Sequence, residues 1–267
     1  MPAEYYVAWW NLENLFDEEN APPERRTEKV LRTIKNDIVG WTPQLRDRKV
    51  VQLASVIAQM NGAAGPDFLG ICEVENRFVV ELLARAVEGL LPGRSDAVAH
   101  RTPMMPRDRC GVPLRRQQVR RPTGETFFHV VMRRNATGEI VQVNFQTVHG
   151  GRTWAVFGNH WPSRSGGQFE SAGYRHIAGE TLGYFHQRAL EVHGPTTPAL
   201  AMGDFNDEPF DTSLVTHALS TRQRRRVLDA ENPLFGTWHG RSWEVGWISR
   251  MEPSTSTTSP TCSTSSW

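Results

Sequence analysis

Ala199-Leu200-Ala201-Met202-Gly203-Asp204-Phe205-Asn206-Asp207-Glu208-Pro209 is the stretch that decides how this chain folds. Its first four residues are small or apolar and predict a buried strand, too short to stand as an independent helix. Gly203 ends that strand, and Asp204, Asn206 and Asp207 crowd the loop at its carboxyl end. Open α/β sheets hold ligands at that position. A carboxylate that accepts and an amide that donates, two residues apart on a stiff strand, suit a water molecule beside a phosphate. The same letters also fit an Asx-rich turn that does no more than end a strand.

Three other apolar stretches run into polar residues in the same way. Tyr5–Trp10, aromatic and β-favouring, leads into Asn11-Leu12-Glu13-Asn14. Asp67–Cys72, after Pro66, leads into Glu73-Val74-Glu75-Asn76, and Thr153–Asn159 delivers His160-Trp161-Pro162-Ser163-Arg164. Between them lie helical patterns. Val50, Leu53, Ala54, Ile57 and Met60 predict a helix from Arg46 to Met60, closed by Asn61-Gly62. Phe78–Leu91 and Ser171–Val192 read as helices too, and Asn20–Arg26 as a loop. Phe127–Arg133 and Ile140–Thr147 predict two strands joined by a turn at Asn135–Gly138. A late alternation of strands and helices beside this meander predicts an α/β protein with a mixed sheet. Each polar strand end has a plain reading: Glu73 as a solvated end, His160 as a structural histidine, Asn11 as a turn former. Four of them, each closing an apolar strand, favour a common site.

Composition narrows the function. A chain of 267 residues with nine tryptophans and 39% hydrophobic residues can bury a sizeable core. A formal charge of +1 argues against a broad polybasic surface. Arg222, Arg224, Arg225 and Arg226 form the densest basic cluster, fit either for nucleic-acid backbone or for a solvated face. Cys72, Cys110 and Cys262 have no metal or disulfide spacing, which predicts reduced thiols in a cytoplasmic protein. Met1–Glu4 carries no basic or apolar leader, and no run approaches membrane-spanning length. A monomer without a membrane partner is expected.

Trp10-Asn11-Leu12-Glu13-Asn14, Ile71-Cys72-Glu73-Val74-Glu75-Asn76, Gly158-Asn159-His160-Trp161-Pro162-Ser163-Arg164 and Gly203-Asp204-Phe205-Asn206-Asp207 resemble, in this order, the motifs of the endonuclease/exonuclease/phosphatase superfamily, the deoxyribonuclease I-like group. The resemblance implies an α/β (α+β) fold over residues 1–250, a four-layer sandwich of two mixed β-sheets flanked by helices. It also implies hydrolysis of a phosphodiester dependent on Mg²⁺ or Mn²⁺, by an endo- or exonuclease acting on nucleic acid. A phosphatase for a small or lipid phosphate is the alternative. Carried over by motif, Glu73 is the main metal ligand and Asn11 lies beside metal and phosphate. Asp204 orients or deprotonates the attacking water, Asn206 holds the phosphate, and His160 donates to a phosphate oxygen or the leaving group.

Two stretches depart from that pattern. Arg94–Arg121 is rich in arginine and proline, where the family runs sheet strands. From Pro253, 11 of the last 15 residues are Ser or Thr, where the family has an aspartate-bearing strand and then a Ser-Asp-His-type motif. The last histidine here is His239, followed by Gly240-Arg241. A displaced reading frame accounts for both. Thr codons lend AC, and common Ser codons TC, to the codon behind them. Met251–Trp267 is then compatible with Tyr-Gly-Thr-Phe-Asn-Val-Asp-Asp-Phe-Thr-Asn-Val-Leu-Asp-Gln-Phe-Leu, an aspartate-bearing strand. Pro106–Val119, in the opposite register, is compatible with Arg-Gly-Ile-Asp-Val-Ala-Phe-Leu-Tyr-Asp-Asp-Ser-Lys-Phe. The other reading of residues 251–267 is a disordered Ser/Thr-rich tail. Either way the C-terminal strand and the Arg94–Arg121 region are degraded, and weak activity, or an inactive gene product or binding module, is expected. Sequencing the coding DNA is expected to show codons that spell those two strands in the displaced frames; incompatible codons rule the displacement out.

Overall fold

In the computed structural model, side chains are described for residues 6–92, 126–132, 137–147 and 151–221; strand backbone is also described at 96–99, 111–114, 119–120, 136, 234–238 and 244–249. Contacts divide the chain into a first unit, Met1–Arg121 with Gln146–Gly151, and a second, Pro122–Phe145 with Arg152–Trp267. The α/β class with mixed sheets and helices, expected from the sequence, is the one observed.

The first unit begins with β1 (Val7–Leu15), α1 (Glu28–Ile34), α2 (Pro43–Ala63), β2 (Phe68–Val74) and α3 (Arg77–Leu90). Two short strands follow, β3 (Asp96–Ala99) and β4 (Gly111–Leu114), giving the sheet order β1-β2-β4-β3. β1 and β2 are parallel, and the pairs with β4 are antiparallel. β5 (Val119–Arg120) pairs with Thr147 and Gln146. The Arg94–Arg121 stretch thus still supplies β3, β4 and β5, and its other residues lie outside those described. α2 starts on a Thr42 cap with Pro43 behind it, and its ladder breaks at Met60–Gly62, where Asn61 and Gly62 take positive φ. Its apolar face, Val50, Leu53, Ala54 and Ile57, packs with Leu12, Leu69, Ile71, Val79 and Leu83 in one core. Cys72 is a buried free thiol in β2.

The second unit carries β6 (Thr126–Met132), β7 (Ala136–Thr147), β8 (Thr153–His160), α4 (Gln168–His193) and β9 (Ala199–Asp204). A five-residue π-helix, Ser213–His217, is followed by β10 (Ser220–Thr221), β11 (Leu234–Trp238) and β12 (Glu244–Ser249). Strand order is β10-β11-β12-β9-β8-β7, with β6 also on β7. β8 and β9 are parallel and joined through α4, whereas β12 lies antiparallel on β9. Ala178, Leu182 and Ala189 of α4 pack on Ala155, Phe157, Ala199 and Ala201 of those strands. Small residues let the helix settle close. A Cβ on Gly179 would stand 2.2 Å from the Ser213 carbonyl oxygen. Arg222–Arg226, His239 and the Ser/Thr tail lie outside the described residues.

β8 and β9 approach tightly where Asn159 faces Gly203. A Cβ at Gly203 would meet the Asn159 carbonyl oxygen at 2.1 Å, and a backbone atom has no rotamer through which to retreat. Gly203→Ala is therefore expected to cost ~1–3 kcal/mol or more in a urea melt. Burial also pushes the α4 residue His186 down to about 4. The native state then stays neutral there while the unfolded chain takes a proton. Stability is expected to be fully present above about pH 6.5 and to fall by about 3 kcal/mol towards pH 4. Melts of wild type and His186→Leu across that range check this: the variant lacks that part of the slope.

Candidate active site

The first set of residues stands where β1 and β2 end side by side. Asn11 lies opposite Cys72, and the register then shifts between Asn11 and Leu15. Within that bulge Glu13 and Asn14 take φ of 49° and 64°. The bulge turns the Glu13 N–H back onto Asn11 Oδ1 at 2.9 Å. With its carbonyl so engaged, the Asn11 amide donates from Nδ2 to Glu73 Oε1, also at 2.9 Å. Glu73 itself has φ 57°, a left-handed backbone that costs a non-glycine residue ~1–3 kcal/mol and is found mostly where function demands it. Lys49 reaches over from α2 and donates Nζ to the carbonyls of Glu13 (2.8 Å) and Asn14 (3.3 Å). Burial lowers the pKa of the Lys49 ammonium below its ordinary value, and the charges of Glu13 and Glu73 oppose that drop.

Glu75 has a different task from Glu73. It is 2% exposed and held by Arg26 through two bonds, Nε to Oε1 at 2.7 Å and Nη2 to Oε2 at 2.9 Å. The Asp17 N–H also donates to Oε2. Asp17, fully buried, accepts in turn from Arg46 Nη1 at 3.0 Å and Asn76 Nδ2 at 3.1 Å. This network ties the exits of β1 and β2 to the start of α2 and to the cap of α3.

The second set lies where β8 and β9 end, with His160 opposite Asp204. Trp161 N donates to the Asp204 carbonyl at 2.9 Å. Asn206 Nδ2 donates to the Trp161 carbonyl at 2.9 Å, and its backbone N–H to Asp204 Oδ1 at 3.0 Å. The Asx turn that the letters allowed is therefore present, and it is what aims Asp204. His160, Asp204 and Asn206 come together as one group; Asn11 and Glu73 form the other.

Both groups are braced by residues to which sequence alone assigned no role. Arg164 Nε donates to the Asn206 carbonyl at 2.6 Å, and Nη2 reaches Asp207 Oδ1 at 2.9 Å and Asp211 Oδ2 at 2.8 Å. Asp207 is buried, with Arg175 Nε at 2.7 Å and Ser213 Oγ donating at 2.6 Å. Arg164 stands in a recognisable motif, but its acidic partners lie 43 and 47 residues downstream. No periodicity announces such a pair.

Among the described residues, no cluster of three or more His, Cys, Asp or Glu side chains is placed to hold a metal. A hard cation such as Mg²⁺ asks for less, one or two carboxylates completed by water and phosphate. The Glu73 carboxylate and the Asn11 carboxamide fit that demand. Their ligating atoms are oxygens, and the hydrogen bond between the two side chains sets the carboxylate's orientation in advance.

A model of the endonuclease/exonuclease/phosphatase family matches residues 6–238. Among solved structures, the human nocturnin catalytic domain with bound sulfate superposes with a TM-score of 0.52 at 19% identity, over 76% of this chain and 75% of that one. The mannosyl-6-phosphatase Bt3783 of Bacteroides thetaiotaomicron gives 0.52 at 15% identity, over 92% and 85%. A humanized D. rerio TDP2 gives 0.54 at 13% identity, over 92% and 83%. Likeness at these identities is one of fold. No curated protein sequence matches. The match from residue 6 to residue 238 takes in all four motif-bearing strand ends, and the chain belongs to the endonuclease/exonuclease/phosphatase family.

Proposed function

We propose that this chain is a phosphodiester hydrolase dependent on Mg²⁺ or Mn²⁺, with nucleic acid as its first substrate class. The observation that carries this is a carboxylate oriented by an asparagine at each pair of parallel strand ends: the Asn11 carboxamide donates to Glu73, and the Asn206 backbone N–H donates to Asp204. Glu73 and Asn11 would hold the cation, which supplies charge stabilisation at the phosphoryl oxygens.

This chain's own residues supply the rest. Asp204 is the acceptor for the proton of the attacking water, and the Asn206 backbone N–H keeps its carboxylate in one orientation. The Asn206 amide has two N–H donors. One goes to the Trp161 carbonyl, which leaves the geometry of the other set for a phosphate oxygen. His160, beside Asp204 in the register, donates to the phosphate or to the departing oxygen. His160 is the histidine that the recognised motifs provide. A phosphatase acting on a small phosphate ester is the second reading. The formal charge of +1 favours it, because long nucleic acids are usually met by basic faces.

Hydrolysis of bis(p-nitrophenyl) phosphate, single-stranded DNA, RNA and a sugar phosphate is expected to require Mg²⁺ or Mn²⁺ and to stop with EDTA. Glu73→Ala or Asp204→Ala is expected to lower turnover by at least ~10². Mg²⁺ is expected to raise the Tm of the wild type and not that of Glu73→Ala. Undiminished metal-dependent hydrolysis in either variant rejects the assignment.

A further inference from the structure

We infer that Lys49 is a positioning residue for the Asn11–Glu73 pair, acting as an ammonium clamp on the β1 bulge. The inference rests on the phosphodiesterase reading above and assigns this site a residue outside its motifs. Two consecutive left-handed residues, Glu13 and Asn14, present their carbonyls to one cation. Neither residue is glycine, so the turn needs something to hold it. The ammonium carries three donors and can serve both oxygens at once.

What the clamp holds is a short relay. Lys49 fixes the bulge, the bulge sets the Glu13 N–H on Asn11 Oδ1, and Asn11 Nδ2 sets Glu73 Oε1. Each link is a single hydrogen bond of 2.8 or 2.9 Å. Lys49 lies three residues after Arg46 on α2, hence on the same helix face. Arg46 meets the buried Asp17 just past the end of β1. One face of α2 therefore delivers two cations to the same strand exit, one to a buried carboxylate and one to the bulge. Groups that orient a metal ligand from behind typically change metal affinity or activity ~10–100-fold when removed.

Lys49→Met keeps the stem and removes the charge. Calorimetric Mn²⁺ titration is expected to show at least ~10-fold weaker binding, with kcat reduced by a similar factor and KM little changed. Hydrogen exchange is expected to quicken at the Glu13 amide while that of Ile71 in β2 is unchanged. Lys49→Arg, which keeps the charge, should recover most of the Mn²⁺ affinity. Should Lys49→Met fail to fold, Lys49→Gln serves with the same three readouts. Wild-type Mn²⁺ affinity in the variant overturns the inference, whether or not the Glu13 amide loosens. Wild-type protein that neither binds Mn²⁺ nor hydrolyses a diester overturns the phosphodiesterase reading and this inference with it. Loss of stability in Lys49→Met without loss of affinity marks the clamp as structural only, and overturns it too.

Discussion

A carboxylate sealed from water and gripped by arginine stands just beyond each of the two strand-end carboxylates, Glu73 and Asp204. In the first unit it is Glu75, two residues past Glu73, locked by Arg26. In the second it is Asp207, three residues past Asp204, with Arg175 and Arg164 on one oxygen and Ser213 on the other. A buried pair of this kind adds little net stability compared with apolar packing. Removing one partner, however, strands the other charge at a cost of ~3–5 kcal/mol. The backbone leading into each pair is therefore confined. Loops at strand ends are usually the mobile part of a sheet; here they are held within three residues of Glu73 and Asp204.

That confinement explains why the fold tolerates strained backbone where it does. Glu13, Asn14 and Glu73 in the first unit and Asn206 in the second all take positive φ, each in or next to its own unit's strand-end group. In each unit the strain is bracketed by apolar packing before it and a buried polar network after it. Leu12 and Ile71 belong to the core on one side, and Asp17 with Glu75 to the network on the other. The second unit repeats the scheme with Trp161 edge-on to Phe205, ring centroids 4.9 Å apart, and Asp207 behind them. The Asn11–Glu73 pair needs such bracketing, because a freely relaxing bulge would let Asn11 turn away from Glu73.

The sequence conveyed the parts governed by periodicity. Val50, Leu53, Ala54 and Ile57 mark the buried face of α2, and Asn61-Gly62 marks its break. The apolar runs before Glu73, His160 and Asp204 mark strands; β8 and β9 end within one residue of expectation, whereas β2 runs on through Glu73 to Val74. β1 runs to Leu15, past the predicted end, because its bulge lets the strand continue beyond Asn11. α1 has only seven residues and β10 two, too few to show a repeat. Periodicity alone does not separate Glu73 from Glu75, although the motif singles out Glu73. They stand two residues apart, Glu73 near the end of β2 and Glu75 just past it, and the arrival of Arg26 from a proline-rich loop is what seals in Glu75. The Asn–Glu and Asp–Asn groupings were legible by motif; their arginine braces come from sequence-distant loops and were not.

β8 and β9 are neighbours in space, yet the whole of α4 is synthesised between them. Asp204 is synthesised only after His160 and the whole of α4, and parallel pairing cannot begin until the crossover has closed. Non-local closures of this kind set slow folding rates. Until then the apolar flank of β8 is exposed to competing chains. The assembly of the His160–Asp204 strand ends and the late step of folding are thus one event, and the yield of folded protein becomes a matter of time as much as of final stability.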